Sequence, residues 1–353
     1  MIEFKQGDLL KADTEALVNT VNTVGVMGKG IALQFKQAFP ENFRAYKKAC
    51  DTKQVQPGQM FTFATGNLFN PRYIINFPTK RHWRDKSRFE DIQTGLGALI
   101  AEVQQLGIQS IAIPPLGCGN GGLVWSDVKP TITEAFAALP NVRVLIFEPM
   151  GAPVADTMQV ATPTPKMTRA RALLIRLLEL YNIPGYRLTK LEIQKLAYFL
   201  QEAGEPLKLR YVKHQFGPYA DNLNHVLQVL EGHFIRGYGD RSQNSQMYVL
   251  PEGREAAQTY LEQHLDASDR LERVSNLITG FETPYGMEML ATVHWIATQE
   301  DPQAAVDSDR ALALCREWSD RKRQLFKPTH LRKAWERLHE QNWLTATNEL
   351  KSH

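Results

Sequence analysis

What most constrains this chain is an alternation in its first 150 residues. Short β-branched or aromatic runs (Ile2–Leu9, Ala16–Asn22, Met60–Ala64, Tyr73–Thr79, Ser110–Leu116, Val142–Glu148) are separated by amphipathic stretches at Gly30–Cys50, Arg88–Leu106 and Trp125–Leu139. In the middle stretch Phe89, Ile92, Leu96, Leu99, Ile100 and Val103 recur at helical spacing, which makes one apolar face. Strands interleaved with helices need crossover connections, and these build a mixed, largely parallel sheet between helices. The expected class is α/β. Ligands of such sheets sit beyond the carboxyl ends of the strands, so the loops after Leu9, Asn22, Thr79 and Leu116 are the ones to read.

The alternation stops at Pro149. Pro149–Thr168 is rich in Pro, Thr and Ala without periodicity, which is linker composition. The chain divides into residues 1–152, a linker over 153–168 and a second domain over 169–353. In that domain Arg169–Tyr181, Thr189–Ala203, Tyr219–Gly232, Gly253–Ser268 and Pro284–Gln299 read as helices, with more helix toward Leu344. His233–Gly237 and Gln246–Leu250 read as two strands joined by a polar turn, so a mainly α domain with a small winged-helix-like β-hairpin is expected.

Hydrophobic residues make up 43% of the chain and charged ones 22%, ordinary values for a globular protein. No apolar run approaches the roughly 18 residues of a membrane span, and the N-terminus does not read as a signal peptide. A soluble cytoplasmic protein with no membrane partner is expected. Cys50, Cys118 and Cys315 are too few and too scattered for a disulfide framework or a zinc site. His214, His225 and His233 lack ligand spacing as well, so neither a metal nor another cofactor is implied. The net charge of +3 is too small to hold nucleic acid by bulk electrostatics. All of it lies before Asp156, where 16 basic residues face 13 acidic ones, against 25 of each beyond.

Two loops carry the chemistry. Ala16–Ala32 reads ALVNTVNTVGVMGKGIA: a strand with Asn19 and Asn22, then Gly25, Gly28, Lys29 and Gly30 opening a helix at Ile31. Ile113–Leu123 reads IPPLGCGNGGL, running from Pro115 through Gly117, Cys118, Gly119, Asn120, Gly121 and Gly122 to Leu123 before Trp125 opens a helix. Glycines at such junctions let backbone N–H groups approach a phosphate, and the helix N-terminus adds partial positive charge. Neither loop is a GxGxxG fingerprint or a P-loop. Two of them on parallel strands can grip a diphosphate from both sides, and nearby amides can bond sugar hydroxyls. Gly7-Asp8 ends the first strand; an acid there, taken alone, is more often a turn cap.

GDLL, the ALVNTVN…GKGIA loop and the PPLGCGNGGL loop together resemble a macrodomain, the ADP-ribose-binding module, over nearly all of residues 1–150. The resemblance implies that Asp8, with Leu9, meets the adenine and that Asn22, with Asn19, meets the distal ribose. It implies further that Gly28–Ile31 and Gly117–Leu123 wrap the diphosphate. The segment NFPTKRHW within Tyr73–Arg84 narrows this. It is similar to lysine-dependent glycohydrolases of the DarG antitoxin family, which remove ADP-ribose from thymine in DNA. Lys80 is then the catalytic residue. Arg81, His82, Trp83 and Arg84 are then contacts to ADP-ribosylated single-stranded DNA, the arginines for phosphate and Trp83 for base stacking. One departure stands out: related lysine-dependent enzymes carry an aspartate where this loop has Gly121, and His82 and Asn120 are the candidates for its part.

Two roles are open to Lys80. A neutral amine can attack the anomeric carbon and form a ring-opened imine that water hydrolyses; a protonated one can stabilise or protonate the departing thymine. Arg81 and Arg84 favour the neutral form by like-charge repulsion. In the second domain, LTKLEIQKLAYFLQ and YVKHQFGPYA resemble the helical region of the same antitoxins, which implies binding of a DarT-like toxin through residues 169–353. Glu231, Asp240, Glu300, Asp301, Asp307 and Asp309 would imitate DNA if they cluster, and form an ordinary solvated face if they do not. The competing readings of the whole are a non-catalytic ADP-ribose reader and a hydrolase of ADP-ribosylated protein side chains.

Overall fold

The computed structural model describes residues 1–181, 186–241, 245–264 and 268–344. They form two compact units that part between Pro163 and Thr164, with a short segment from Gly239 grouping with the first.

The first unit is built on a six-stranded sheet of β1 (Ile2–Lys5), β2 (Ala16–Asn22), β3 (Phe61–Ala64), β4 (Tyr73–Lys80), β5 (Ser110–Ile113) and β6 (Arg143–Phe147). The order is β1-β6-β5-β2-β4-β3, with every neighbour parallel except β3 on β4. All but one residue of β2 is buried, as a central strand covered on both faces must be. Alternate residues feed two cores. Val18, Ile75, Phe77 and Ile111 pack with Ile92, Leu96 and Leu99 of α3 (Phe89–Leu106) and Ile132 and Phe136 of α4 (Trp125–Ala137). Leu17, Ile74, Ala112 and Leu145 pack with Phe35 of α1 (Ile31–Ala38). A Cβ at Gly95 would lie 2.3 Å from the Phe77 ring, so this glycine lets α3 settle directly on β4.

The single helix expected over Gly30–Cys50 is two, α1 and α2 (Pro40–Asp51). Pro40 disfavours helical backbone at the residue before it, and Phe39 sits at φ −131° and ψ 70°; the proline then serves as the first residue of the next helix. The stretch expected as linker also differs in part: Met158 is buried and the Ala161 N–H donates to the Gln37 carbonyl at 2.8 Å, so those residues pack onto the first unit.

The second unit is mainly helical: α5 (Arg169–Tyr181), α6 (Lys190–Glu202), α7 (Leu223–Leu230), α8 (Pro251–Glu262), α9 (Ser268–Ile278), α10 (Pro284–Trp295), α11 (Ser308–Glu317), α12 (Asp320–Leu325) and α13 (Pro328–Glu340). The expected wing is the antiparallel pair β10 (Ile235–Arg236) and β11 (Gln246–Val249), extended by β7 (Leu188–Thr189); part of its turn, residues 242–244, lies outside the described residues. So do 265–267, over which the fourth helix was expected to run, and the chain beyond 344. The YVKHQFGPYA string forms a small hairpin, β8 (Val212–His214) and β9 (Gly217–Tyr219). At the start of α6, Thr189 and Glu192 form a capping box, and the buried Glu192 carboxylate also accepts the Tyr181 and Tyr186 hydroxyls, each at 2.7 Å.

The six acids considered as a DNA-imitating face each hold a bond within the protein, while Glu300, Asp307 and Asp309 stay exposed. Glu231 is buried and accepts the Gly237 and Tyr238 N–H groups. Glu300 pairs with Lys213, Asp301 with Arg310 and Asp309 with Arg332. Asp307 caps α11, and Asp240 is buried in the segment that groups with the first unit. No helix among the described residues is long and apolar enough to cross a membrane.

At the centre of the second unit Glu288 accepts two bonds from Arg321, at 2.7 and 3.0 Å, and one from the fully buried Lys322 at 2.6 Å. Burial alone would raise the Glu288 carboxyl; Arg321 and Lys322 outweigh it and hold the group below its usual range. Removing one member strands the other charges in a low dielectric, so Glu288→Ala is expected to destabilise this unit by about 3–5 kcal/mol. Denaturant unfolding of the variant checks this; an unchanged midpoint would contradict it.

Candidate active site

The sheet order sets β5, β2 and β4 side by side, so the loops that leave their carboxyl ends are neighbours. Asp8 follows β1, four strand positions from β4, a span of roughly 19 Å at normal strand spacing. That is room for an elongated ligand laid across the sheet edge.

Lys80 is the last residue of β4. The β2–β4 register shifts at Val21/Asn22, pairing Asn22 with Lys80 and setting the lysine beside the loop that leaves β2. Its Nζ donates to the backbone carbonyl of Asn120, in the glycine loop after β5. Burial pushes the Lys80 amine below its ordinary range, and the negative charge of Asp85 opposes that. The nearest acceptor is thus a neutral carbonyl. Among the described residues neither His82 nor the Asn120 side chain bonds the Lys80 amine; the Asn120 main chain does.

The two glycine loops meet. A Cβ on Gly30 would lie 2.8 Å from Asn120 Nδ2. The Gly30 N–H, at the start of α1, donates to the Asp240 carbonyl at 2.8 Å, and Gln34 donates to the Asp240 carboxylate at 2.7 Å. Around Gly117–Leu123 the loop closes on itself, with the Leu123 N–H donating to the Gly117 carbonyl at 3.1 Å and Gly122 to Gly119 at 3.1 Å. Gly119, Asn120 and Gly122 are exposed and Gly28 and Ile31 are partly so, as is Pro115, while Lys29 is open to solvent. Burial, with Asp127 nearby, pushes the Cys118 thiol up to about 11, which keeps it protonated and unreactive.

Other residues expected to meet the ligand also hold bonds within the fold. Asp8 does cap a turn, accepting the Leu10 N–H at 3.0 Å, and Leu9 is buried in the core. Asn19 is fully buried, donating to Asn76 Oδ1 at 3.0 Å, and Asn76 in turn bonds Asn42 at 2.7 Å. It belongs to a polar seam inside the fold, because the fourth residue of a central strand cannot reach the sheet edge. Asn22 is at the edge, yet its amide orders its own loop: Oδ1 accepts the Val24 and Val26 N–H groups at 3.1 and 3.2 Å, and Nδ2 donates to the Val26 carbonyl. The Tyr46 hydroxyl holds the Asn22 carbonyl from below at 2.5 Å.

Of the basic stretch after β4, Arg81 is committed to a bidentate pair with Asp91 at 2.5 and 3.0 Å, and its carbonyl accepts Thr23 Oγ1 at 2.7 Å. His82 and Asp85 close a turn through reciprocal backbone and carboxylate bonds. On that turn Trp83 is 47% exposed, with the Arg84 guanidinium 4.6 Å from its ring centroid and the His82 ring at 5.3 Å. An exposed tryptophan three residues beyond Lys80 is the kind of ring on which an unpaired base can stack. The sequence reading passed over Asp85, Asp91, Tyr46 and Ser87; the only available signal was Asp85, an acid within KRHWRDK.

Fold and loops define a macrodomain with a lysine at its ligand edge. A Macro domain family model matches residues 18–132. The chain is similar to the DNA ADP-ribosyl glycohydrolase of Thermus aquaticus, 50% identical over 96% of this chain and 93% of that one. The protein of the same name from Mycobacterium tuberculosis is 42% identical over 96% and 99%. A Thermosipho africanus DNA ADP-ribosyl transferase-DNA ADP-ribosyl glycohydrolase fusion protein is 32% identical over 43% of this chain and 42% of that one. This chain belongs to the DNA ADP-ribosyl glycohydrolase family.

Gly121 tests the loop geometry. A Cβ there would lie 2.2 Å from the Gly117 carbonyl oxygen and 2.3 Å from Ser87 Oγ, whereas one at Gly119 meets nothing within 4 Å. Gly121→Ala is expected to cost about 1–3 kcal/mol as overpacking and Gly119→Ala far less. Paired thermal melts check the difference; equal midpoints would contradict it.

Proposed function

We propose that this protein is an antitoxin enzyme that hydrolyses the N-glycosidic bond between ADP-ribose and thymine in single-stranded DNA. The observation that carries the reading is Lys80, partly desolvated at the end of β4, with its amine bonded to the loop expected to wrap the diphosphate. The exposed Trp83, three residues further along the chain, supports a nucleic-acid substrate.

Lys80 acts as the nucleophile in its neutral form. Desolvation favours that form, and a carbonyl acceptor leaves the amine nitrogen available where a carboxylate would hold it as ammonium. The amine attacks the anomeric carbon as the bond to thymine breaks; that electron pair leaves with the thymine nitrogen, which takes up a proton. The lysine adduct loses a proton, opens to an imine, and water returns free lysine and ADP-ribose. In this reading the second unit binds and neutralises a DarT-like toxin, a pairing supported by the relative whose name joins transferase and glycohydrolase in one fusion protein.

An ADP-ribosylated thymidine oligonucleotide incubated with the native protein is expected to release ADP-ribose, and with Lys80→Ala to lose at least about 100-fold in rate, as loss of a covalent nucleophile implies. Persistence of the modified oligonucleotide with native protein would overturn the reading. Asp85→Asn separates the two roles of Lys80. The Asp85 charge raises the Lys80 pKa, so its removal lowers that pKa and moves the rising limb of the pH–rate profile to lower pH. A lysine acting as an acid would instead lose its proton earlier and show a falling limb at lower pH.

A further inference from the structure

Ser87, between the Trp83 turn and α3, takes no part in the chemistry above, yet its surroundings are unusual. Ser87 is only 7% exposed, and among the described residues its buried Oγ has no hydrogen-bond partner. Buried hydroxyls are nearly always paired, and an unpaired one costs stability.

The glycine loop is wrapped around this side chain. A Cβ on Gly117 would lie 3.1 Å from Ser87 Cβ and 3.2 Å from Oγ, and one on Gly121 would fall 2.3 Å from Oγ. The Ser87 N–H donates to the Gly121 carbonyl at 3.0 Å, while Lys80 Nζ donates to the carbonyl of Asn120, the residue before it. Two adjacent carbonyls of one loop are therefore held from one segment, by Lys80 and by Ser87. The hydroxyl occupies the point at which a side chain on residue 121 would have to begin.

We propose that Ser87 is a positioning residue: its side chain is the wedge that sets the Gly117–Leu123 loop so that the Asn120 carbonyl meets Lys80. This rests on the glycohydrolase reading for its catalytic consequence. An unpaired hydroxyl is tolerated here because the wedge must be small enough to sit against both glycines and the Gly117 carbonyl. Serine meets that limit, and so does cysteine, with one heavy atom beyond Cβ; a residue with a further heavy atom does not.

The full-length protein with Ser87→Ala and Ser87→Cys tests this. Removing an unpaired buried hydroxyl is not expected to lower the melting temperature of Ser87→Ala. Its kcat on the ADP-ribosylated thymidine oligonucleotide is expected to fall about tenfold, the scale of a small misplacement near the chemistry. Its calorimetric Kd for ADP-ribose is expected to rise about threefold, a loosened loop being the cause. Ser87→Cys, which keeps the wedge, is expected to recover most of both. Unchanged kcat and Kd in Ser87→Ala would overturn the proposal, and so would losses that merely follow a lowered melting temperature. If the native protein binds ADP-ribose but leaves the oligonucleotide intact, the glycohydrolase reading fails, and the Kd comparison alone still decides for or against the wedge.

Discussion

The bond between the Lys80 amine and the Asn120 main-chain carbonyl is the contact on which the site depends. It joins the end of one strand to the loop leaving another, and it needs three separate features. The register shift at the end of β2 sets Lys80 opposite Asn22. The glycines at 117 and 121 let the loop curl tightly enough to bring a carbonyl inward. The Arg81–Asp91 pair fixes the chain immediately after the lysine. A carbonyl attracts an ammonium less strongly than a carboxylate does, so the contact that positions Lys80 opposes the lowering of its pKa by burial less than a carboxylate there would.

Much of this was legible in the sequence. The alternation of apolar runs predicted all six strands of the first unit, and the glycines after Asn22 and Leu116 marked the two loops that meet at Gly30 and Asn120. The wing of the second unit followed from two short runs and a polar turn. What escaped depends on partners distant in sequence. Asn19 reads like Asn22, three residues apart, but its place in the middle of a strand covered on both faces and its bond to Asn76, which in turn bonds Asn42, keep it inside. Arg81 reads like Arg84 until Asp91, in the first turn of α3, claims it. Gly121 looked like the loss of a catalytic group; the structure shows a position at which no side chain fits.

The break at Pro40 illustrates the opposite failure. Its signal was local and plain, yet the apolar pattern on both sides matched one helix, so periodicity overrode a residue that cannot continue one. The six acids of the second domain show the same limit for charge. Composition records their number, whereas caps and ion pairs decide whether they remain on offer, and here Asp307 is a cap and Glu231 a buried acceptor.

The central claim is that Lys80 attacks the sugar as a neutral amine and carries it covalently. Reductive trapping tests this most directly. Native protein mixed with the ADP-ribosylated thymidine oligonucleotide and sodium cyanoborohydride, then digested and analysed by mass spectrometry, is predicted to carry the ADP-ribosyl group on the peptide containing Lys80. Release of ADP-ribose with no adduct on that peptide would contradict the account.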